Sequence, residues 1–158
     1  MRDDLLDENE DSFPGPIFRI DLQGKISFWN KACEGILGYA SSQMIGKSAL
    51  TLVPKRHRPI FRETIVRALK GEFLPDKEWK YQNSEQGSVY VLAKIYPLHS
   101  ADGKDKGCVI FNTDITNLKI KLKKLGLYAA ESKERLKNLS EEYDLLKKNI
   151  ATFIRKKD

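Results

Sequence analysis

The sequence lacks the long apolar runs of membrane proteins and the cysteine spacings of metal-binding proteins. No run of about 18 apolar residues occurs, and the acidic start Arg2-Asp3-Asp4 lacks the basic and apolar regions of a signal peptide. The two cysteines, Cys33 and Cys108, have no CxxC spacing and lie among apolar residues, which indicates buried, reduced thiols. We therefore expect a cytoplasmic protein that does not span a membrane.

Motifs of catalysis are also missing. The two histidines, His57 and His99, do not lie in the helical His-Glu or His-Asp context that is typical of a phosphoacceptor. No P-loop, GGDEF or HExxH sequence occurs, and no group of histidines and cysteines has the spacing of metal ligands. We predict that the chain is not an enzyme and binds no metal.

The net charge of +6 is unevenly distributed along the 158 residues. Residues 1–12 are acidic, whereas the segment after residue 116 is rich in lysine. A basic surplus can indicate nucleic-acid binding. Here, however, the lysines mostly occupy outward positions of a helical repeat, where they make the helix soluble. Nucleic acid is therefore not an expected partner.

Hydrophobic periodicity divides the chain into three segments. Residues 1–12 form an acidic lead or a short cap helix, residues 13–116 a globular domain, and residues 117–158 a coiled-coil helix. In the last segment, apolar residues recur at alternating steps of four and three, a heptad pattern. The predicted dimer interface on this helix contains Leu118, Leu122, Leu125, Leu136, Leu139, Tyr143, Leu146, Ile150 and Phe153. Small residues weaken its middle, at Gly126, Ala129 and Ser132.

Two properties of this helix are left open by the sequence. If two copies pair in parallel, Glu142 and Lys147 lie five residues apart on flanking positions and could form a salt bridge between the chains. The alternative to dimerisation is an amphipathic helix that folds back onto the globular domain. Because the repeat is unbroken over five heptads, we favour a homodimer.

The globular segment contains two strands, several short helices and three further strands. The predicted strands are residues 17–21, 26–30, 77–81, 88–96 and 107–114, and the clearest helices are residues 31–39 and 59–70. Pro97 is expected to end the fourth strand. Strands that pair locally through hairpins predict an antiparallel sheet with helices on one face, which is an α+β fold.

A set of short motifs in fixed order resembles the PAS domain between residues 17 and 116. They are Asp21-x-x-Gly24-x-Ile26 with Asn30, Gly38-Tyr39, Ile45-Gly46-Lys47, Val53-Pro54 with Arg56-His57-Arg58, Pro97 before Asp102-Gly103, and Asp114-Ile115-Thr116. The resemblance implies a five-stranded antiparallel sheet in the order 2-1-5-4-3. It also implies sensing in the space between helices and sheet, or dimerisation. In many members the Asp-Ile-Thr end of the last strand passes signals into a coiled coil.

The candidate pocket is lined by apolar side chains of the second strand and the long helix, namely Phe28, Ile60, Phe61, Ile65 and Leu69. The position that resembles the haem-binding histidine of some PAS domains is Phe61, and His57 lies one turn earlier in a charged cluster. The segment 49–54 has no cysteine where light-sensing LOV relatives carry one. We therefore expect neither haem nor a LOV-type flavin, while non-covalent FAD or a small apolar ligand stays open.

The opposite face of the sheet is expected to carry Trp29, Tyr90, Leu92 and Tyr96, by alternation along the strands. An exposed aromatic patch of this kind marks an interface, and Trp29 is therefore counted with the predicted dimer interface. Residues near Leu5 and Leu6, the start of the long helix, or a second subunit should cover the patch.

The leading hypothesis is a non-enzymatic PAS sensory or dimerisation module. It relays a signal through Asp114, Ile115 and Thr116 into the coiled coil, and it acts on a separate protein partner in signal transduction or transcription regulation. The alternatives are a ligand-free structural interaction protein, or the sensory fragment of a larger histidine kinase or cyclase.

Overall fold

A five-stranded antiparallel sheet forms the centre of the protein. The computed structural model describes residues 11–155. The strands are β1 (Ile17–Ile20), β2 (Ile26–Trp29), β3 (Lys77–Gln82), β4 (Ser88–His99) and β5 (Asp105–Asp114). Their order in the sheet is β2-β1-β5-β4-β3, which confirms the predicted order and the α+β fold class. β1 therefore lies beside β5 although the two are far apart in the sequence.

Three short helices and one long helix complete the described residues. They are α1 (Lys31–Leu37), α2 (Ser41–Met44), α3 (Arg58–Leu69) and α4 (Thr116–Arg155), with 3₁₀ turns at Ala49–Leu52 and Lys55–His57. α1 begins where the Asn30 side chain accepts a hydrogen bond from the Cys33 amide at 3.0 Å. It ends at Gly38, whose positive φ of 74° suits a residue without a Cβ.

The chain divides into two compact units, Met1–Asn117 and Leu118–Asp158. The first contains the sheet and the short helices. In the second, α4 continues as a single helix without a buried residue. None of the helices within residues 11–155 combines the length and the apolar composition needed to cross a membrane.

The core of the first unit is built around aromatic rings between the helices and the inner face of the sheet. The Phe61 ring lies 4.7 Å from that of Trp79 and 6.2 Å from that of Tyr81, in edge-to-face arrangements. Phe18 joins them at 6.3 Å from Tyr81 and 5.7 Å from Trp29. Such pairs each contribute about 0.5–1.5 kcal/mol beyond the burial of their area. The interior is thus filled by large rings in defined orientations.

The faces predicted for Phe28 and Trp29 are wrong. Trp29 is only 4% exposed and belongs to the core instead of an interface, and its indole nitrogen donates to the Tyr39 carbonyl at 2.9 Å. Phe28 is half-buried on the other face, with the Arg19 guanidinium 5.2 Å from its ring centre. The cause is an irregularity in the pairing of β1 with β2, which skips Ser27. The extra residue reverses the alternation, so Ile26 and Trp29 both point inward.

The prediction that Ile60 lines the pocket is also wrong, because 52% of its surface is exposed. The buried residues of α3 are Phe61, Ile65 and Ala68, at steps of four and three, and Leu69 packs at their edge. Ile60 is rotated by about 100° from Phe61 around the helix axis, because an α-helix has 3.6 residues per turn. The inward stripe is therefore narrower than predicted.

The fourth strand continues past Pro97, contrary to the sequence prediction. β4 extends to His99, and Pro97 pairs with Cys108 of β5. β3 pairs with β4 only as far as Ala93, so one side of β4 is open beyond that point. Proline is tolerated on such an open side, because no neighbouring strand needs its missing N–H.

The outer face carries Tyr90, Leu92 and Tyr96, as alternation predicted, since Val89, Val91, Ala93 and Ile95 all enter the core. Tyr96 keeps 45% of its surface exposed. Its ring contacts Phe111 at 6.0 Å, and Phe13 contacts Phe111 at the same distance. Leu5 and Leu6, the residues proposed to cover this face, lie outside the described residues.

The Asn30 side chain provides a test of how the fold is held together. We expect Asn30→Ala to lower the free energy of unfolding, because it removes the α1 cap, at about 1 kcal/mol. It also leaves the Ile17 amide and the Gly15 carbonyl without their side-chain partner, at a cost of about 1–3 kcal/mol for a buried group. Urea unfolding of the full chain measures the change. The matched control is Asn117→Ala at an exposed asparagine, and equal loss in both variants would contradict the argument.

Candidate functional site

The last strand and the long helix meet at Asp114-Ile115-Thr116. A carboxylate oxygen of Asp114 accepts a hydrogen bond at 2.8 Å from the amide of Thr116, the first residue of α4. The geometry thus gives the role of helix cap to Asp114. Because the first amides of a helix have no partner within it, this bond fixes where α4 begins.

The other two contacts of the junction reach the neighbouring strand. The Ile115 amide donates to the Tyr90 carbonyl at 2.8 Å. The Thr116 hydroxyl oxygen accepts from the Tyr90 amide at 2.9 Å. Both backbone groups of Tyr90 are thereby engaged with the junction. The start of α4 is thus tied to β4 as well as to β5.

The interior side of β5 carries one member of a buried polar pair, Tyr81 and Asn112, that the sequence analysis did not predict. The Tyr81 hydroxyl donates to the side-chain oxygen of Asn112 at 3.1 Å, and the Asn112 amide nitrogen donates to the Pro16 carbonyl at 3.1 Å. Both residues are buried, and burial raises the pKa of Tyr81 well above its usual value. An asparagine within the apolar run 107–112 was the available signal, since a buried amide requires partners.

Four of the five residues predicted to line one pocket are distributed over three places, and the fifth, Ile60, is exposed. Phe61 is enclosed by other rings of the core. Ile65 and Leu69 border an open groove of about 240 Å³ between α3 and the β1–β2 turn, where they are joined by Leu22, Leu50, Arg62 and Val66. Phe28 lines a different depression beside β2, with Lys31 and Glu34. The five candidates therefore do not form a single pocket.

The interior offers few groups that could hold a polar cofactor. Phe61 stands at the position where some PAS domains carry a haem-binding histidine. An apolar ring cannot coordinate iron. Cys33 is buried on α1, its thiol donates to the Ile17 carbonyl at 3.3 Å, and burial raises the pKa of Cys33 to about 12. The buried indole N–H of Trp79 has no hydrogen-bond partner among the described residues. A small ligand could use this donor, but these residues do not fit haem.

The predicted dimer interface on the long helix lies along one side of α4. All nine of its residues are exposed in the single chain, by 52–69% of their surface. Tyr143 is covered in part by Lys147, whose ammonium nitrogen lies 4.6 Å from the ring centre. A continuous apolar stripe of this length is a favourable surface for another helix. Its role in pairing two chains remains a prediction.

Known proteins that resemble this chain share its fold. Phytochrome B of Sorghum bicolor is 28% identical over 114 residues, which is 69% of this chain and 10% of the length of phytochrome B. The PAS domain of a protein from Colwellia psychrerythraea superposes with a TM-score of 0.66 at 21% identity, over 74% of this chain and 99% of that one. An RNA-binding light-oxygen-voltage receptor also gives a TM-score of 0.66, at 16% identity, over 81% of this chain and 37% of the receptor.

The family described as PAS fold matches residues 11–120. The match contains all five strands, the three short helices and the Asp114–Thr116 junction, and it ends in the first turns of α4. Because it covers well over half of the sequence, the chain belongs to the PAS family.

Proposed function

We propose that this chain is a non-enzymatic PAS sensory or dimerisation module that passes a conformational signal through Asp114, Ile115 and Thr116 into α4. In this proposal α4 pairs with a second copy, and the paired helices are presented to a separate protein partner in signal transduction or transcription regulation. The observation that carries the proposal is the attachment of a 40-residue helix with an exposed apolar stripe directly to the last strand of the sheet.

The hydrogen bonds at the junction support the relay. Asp114 fixes the first turn of α4, and Thr116 with Ile115 ties that turn to Tyr90 of β4. The inner side of the same strand end carries Asn112, two residues before Asp114. A change in packing inside the domain would therefore act on the start of the helix through a short, hydrogen-bonded segment. The name of the light-oxygen-voltage receptor with the same fold is in keeping with a sensory role.

A ligand-free interaction module is the second candidate function, favoured by the filled aromatic interior. The rings of Phe18, Trp29, Phe61, Trp79 and Tyr81 contact one another across the space between helices and sheet. Interiors of proteins are packed as densely as organic crystals, so an additional molecule there must displace side chains. A further hypothesis is that the chain is the sensory part of a larger kinase or cyclase, since it matches only a tenth of the length of phytochrome B.

Pairing through α4 predicts a dimer that one substitution on the stripe weakens. We expect the full chain to be dimeric at micromolar concentration in light scattering, and Leu139→Asp to raise the dissociation constant at least tenfold, because it places a charge in the apolar seam. Asn138→Asp, one residue away on the outward side, is the matched control and should leave the dimer intact. A chain that stays monomeric at high concentration would exclude the pairing.

The proposed relay predicts that the Thr116 hydroxyl stabilises the contact between the start of α4 and Tyr90 of β4. Thr116→Val keeps the shape of the side chain but removes the acceptor for the Tyr90 amide. We expect several-fold faster hydrogen exchange at the amides of Tyr90 and Ile115, since such a bond contributes about 0.5–1.5 kcal/mol. Thr113→Val, at an exposed threonine of β5, is the control and should leave these amides protected. Unchanged exchange in Thr116→Val would show that the contact does not fix the helix start.

The filled interior predicts protein without a stoichiometric chromophore. Purified full-length chain should show no haem or flavin absorption, and native mass spectrometry should give the mass of the polypeptide alone or of its dimer. The reason is that the rings leave few polar groups to pair with a cofactor, at about 1–3 kcal/mol for each unmet group. Visible absorption near one chromophore per chain would favour a cofactor-based sensor over the ligand-free module.

A further inference from the structure

From the side chains along α4, we infer that two copies of this helix pair in antiparallel orientation, with Leu136 of one copy beside Leu139 of the other. The inference rests on the dimer proposed above and specifies its geometry. It follows from three features of the helix. They are the sizes of the side chains that face each other in the seam (the heptad positions of the predicted interface), the charges beside the seam, and the contact of Lys147 with the Tyr143 ring.

The small residues of the seam favour the antiparallel arrangement. In a parallel pair, each seam position faces its own copy, so Ala129 faces Ala129 and Ser132 faces Ser132 in two adjacent layers. Little apolar surface would be buried there, and the gap would cost packing. In the antiparallel register, Ala129 faces Leu146 of the second copy and Ser132 faces Tyr143. Small and large side chains then alternate across the seam, which fills the space evenly.

The same register places the Tyr143 hydroxyl beside a small polar side chain. In a parallel pair, two Tyr143 rings would meet at one seam position and the two Ser132 hydroxyls at another. The antiparallel pair gives each tyrosine a serine as neighbour, which can exchange a hydrogen bond with it. The remaining layers within residues 11–155 join Leu122 to Phe153 and Leu125 to Ile150, so in these layers apolar residues face apolar residues.

The charges at residues 135 and 142 favour one antiparallel register over its two neighbours. With Leu136 beside Leu139, the flanking residue Arg135 lies near Glu142 of the second copy, and this attraction occurs twice by symmetry. Sliding one helix by a heptad in one direction brings Arg135 beside Arg135. Sliding it in the other direction brings Glu142 beside Glu142. Like charges disfavour both neighbouring registers.

The parallel alternative also has one attractive flanking pair. Its attractive flanking pair is Glu142 with Lys147 of the second copy. In the structure, Lys147 lies over the ring of Tyr143 on its own helix, at 4.6 Å, and a cation held there is partly satisfied already. In addition, residues 117–137 carry seven basic and two acidic side chains, whereas residues 138–158 carry five basic and four acidic ones. Antiparallel pairing separates the two strongly basic halves.

Distances between spin labels on the full chain test the orientation. Lys124 and Lys137 both lie outside the seam, and each is replaced by cysteine and labelled in a separate variant, because the native thiols Cys33 and Cys108 are buried. In the antiparallel dimer the two labels at position 124 should be about 40 Å apart along the helix axis, from about 27 residues at about 1.5 Å each. The two labels at position 137 should lie close together, within about 25 Å, the width of two helices.

Three outcomes are distinguishable. A long distance at position 124 with a short one at position 137 supports the antiparallel pair. Short distances at both positions overturn the inference but keep the proposed dimer. A monomer in light scattering, with no measurable distance at either position, overturns both.

Charge reversal provides a second, independent measurement on the full chain. Arg135→Glu should weaken the antiparallel dimer several-fold, because it sets two glutamates beside each other, and the double variant Arg135→Glu/Glu142→Arg should restore it. In a parallel dimer Arg135 faces Ser140, so the single variant would have little effect. The double variant would then be the weaker one, because the arginine introduced at position 142 would face Lys147. A dissociation constant that does not change in Arg135→Glu therefore contradicts the inference.

Discussion

Two buried asparagine side chains hold residues 15–17, the segment that leads into β1. Asn30 accepts from the Ile17 amide and donates to the Gly15 carbonyl, and Asn112 donates to the Pro16 carbonyl. These three consecutive residues are thus bound by one side chain that follows β2 and by one from β5. A buried amide without partners is costly, so these bonds form together or the local structure opens. The positions of α1, β1 and β5 all depend on them.

The hydrogen bond from Asn112 to Pro16 also fixes the end of β5. Asn112 faces the interior and bonds to Tyr81, while Asp114, two residues later, caps α4. Interior packing and helix start are therefore separated by only two residues of the strand. Since strands and helices are stiff compared with loops, a junction without a flexible loop transmits displacement instead of absorbing it. This is the physical basis on which a relay through Asp114, Ile115 and Thr116 is proposed.

The long helix differs from the domain in how its apolar surface is satisfied. In the domain, apolar rings are buried by one another, so the core is complete within one chain. On α4 the seam residues are exposed, and in the proposed dimer a second copy would bury that surface. In the proposed dimer, the small residues Ala129 and Ser132 lie in the seam. They make the two orientations unequal, because only one of them places a large side chain opposite each small one.

Local pattern was sufficient for much of the architecture. Periodicities of two and of 3.5 predicted the strands and α4. The resemblance to the PAS domain supplied the strand order, which places β1 beside β5. Hairpin pairing alone could not give that contact, because nothing local in the sequence links residue 17 to residue 111.

What the sequence by itself determined is therefore the type and order of the elements, since those follow from spacing and turn chemistry within short windows. Only the tertiary structure decided where the alternation breaks, and therefore which faces Phe28 and Trp29 occupy. The register between β1 and β2 skips Ser27 and so exchanges Phe28 with Trp29. The open side of β4 allows the strand to pass Pro97. Partners distant in the sequence satisfy Asn112. In each case the deciding contact comes from another strand, and a pattern along one strand cannot contain it.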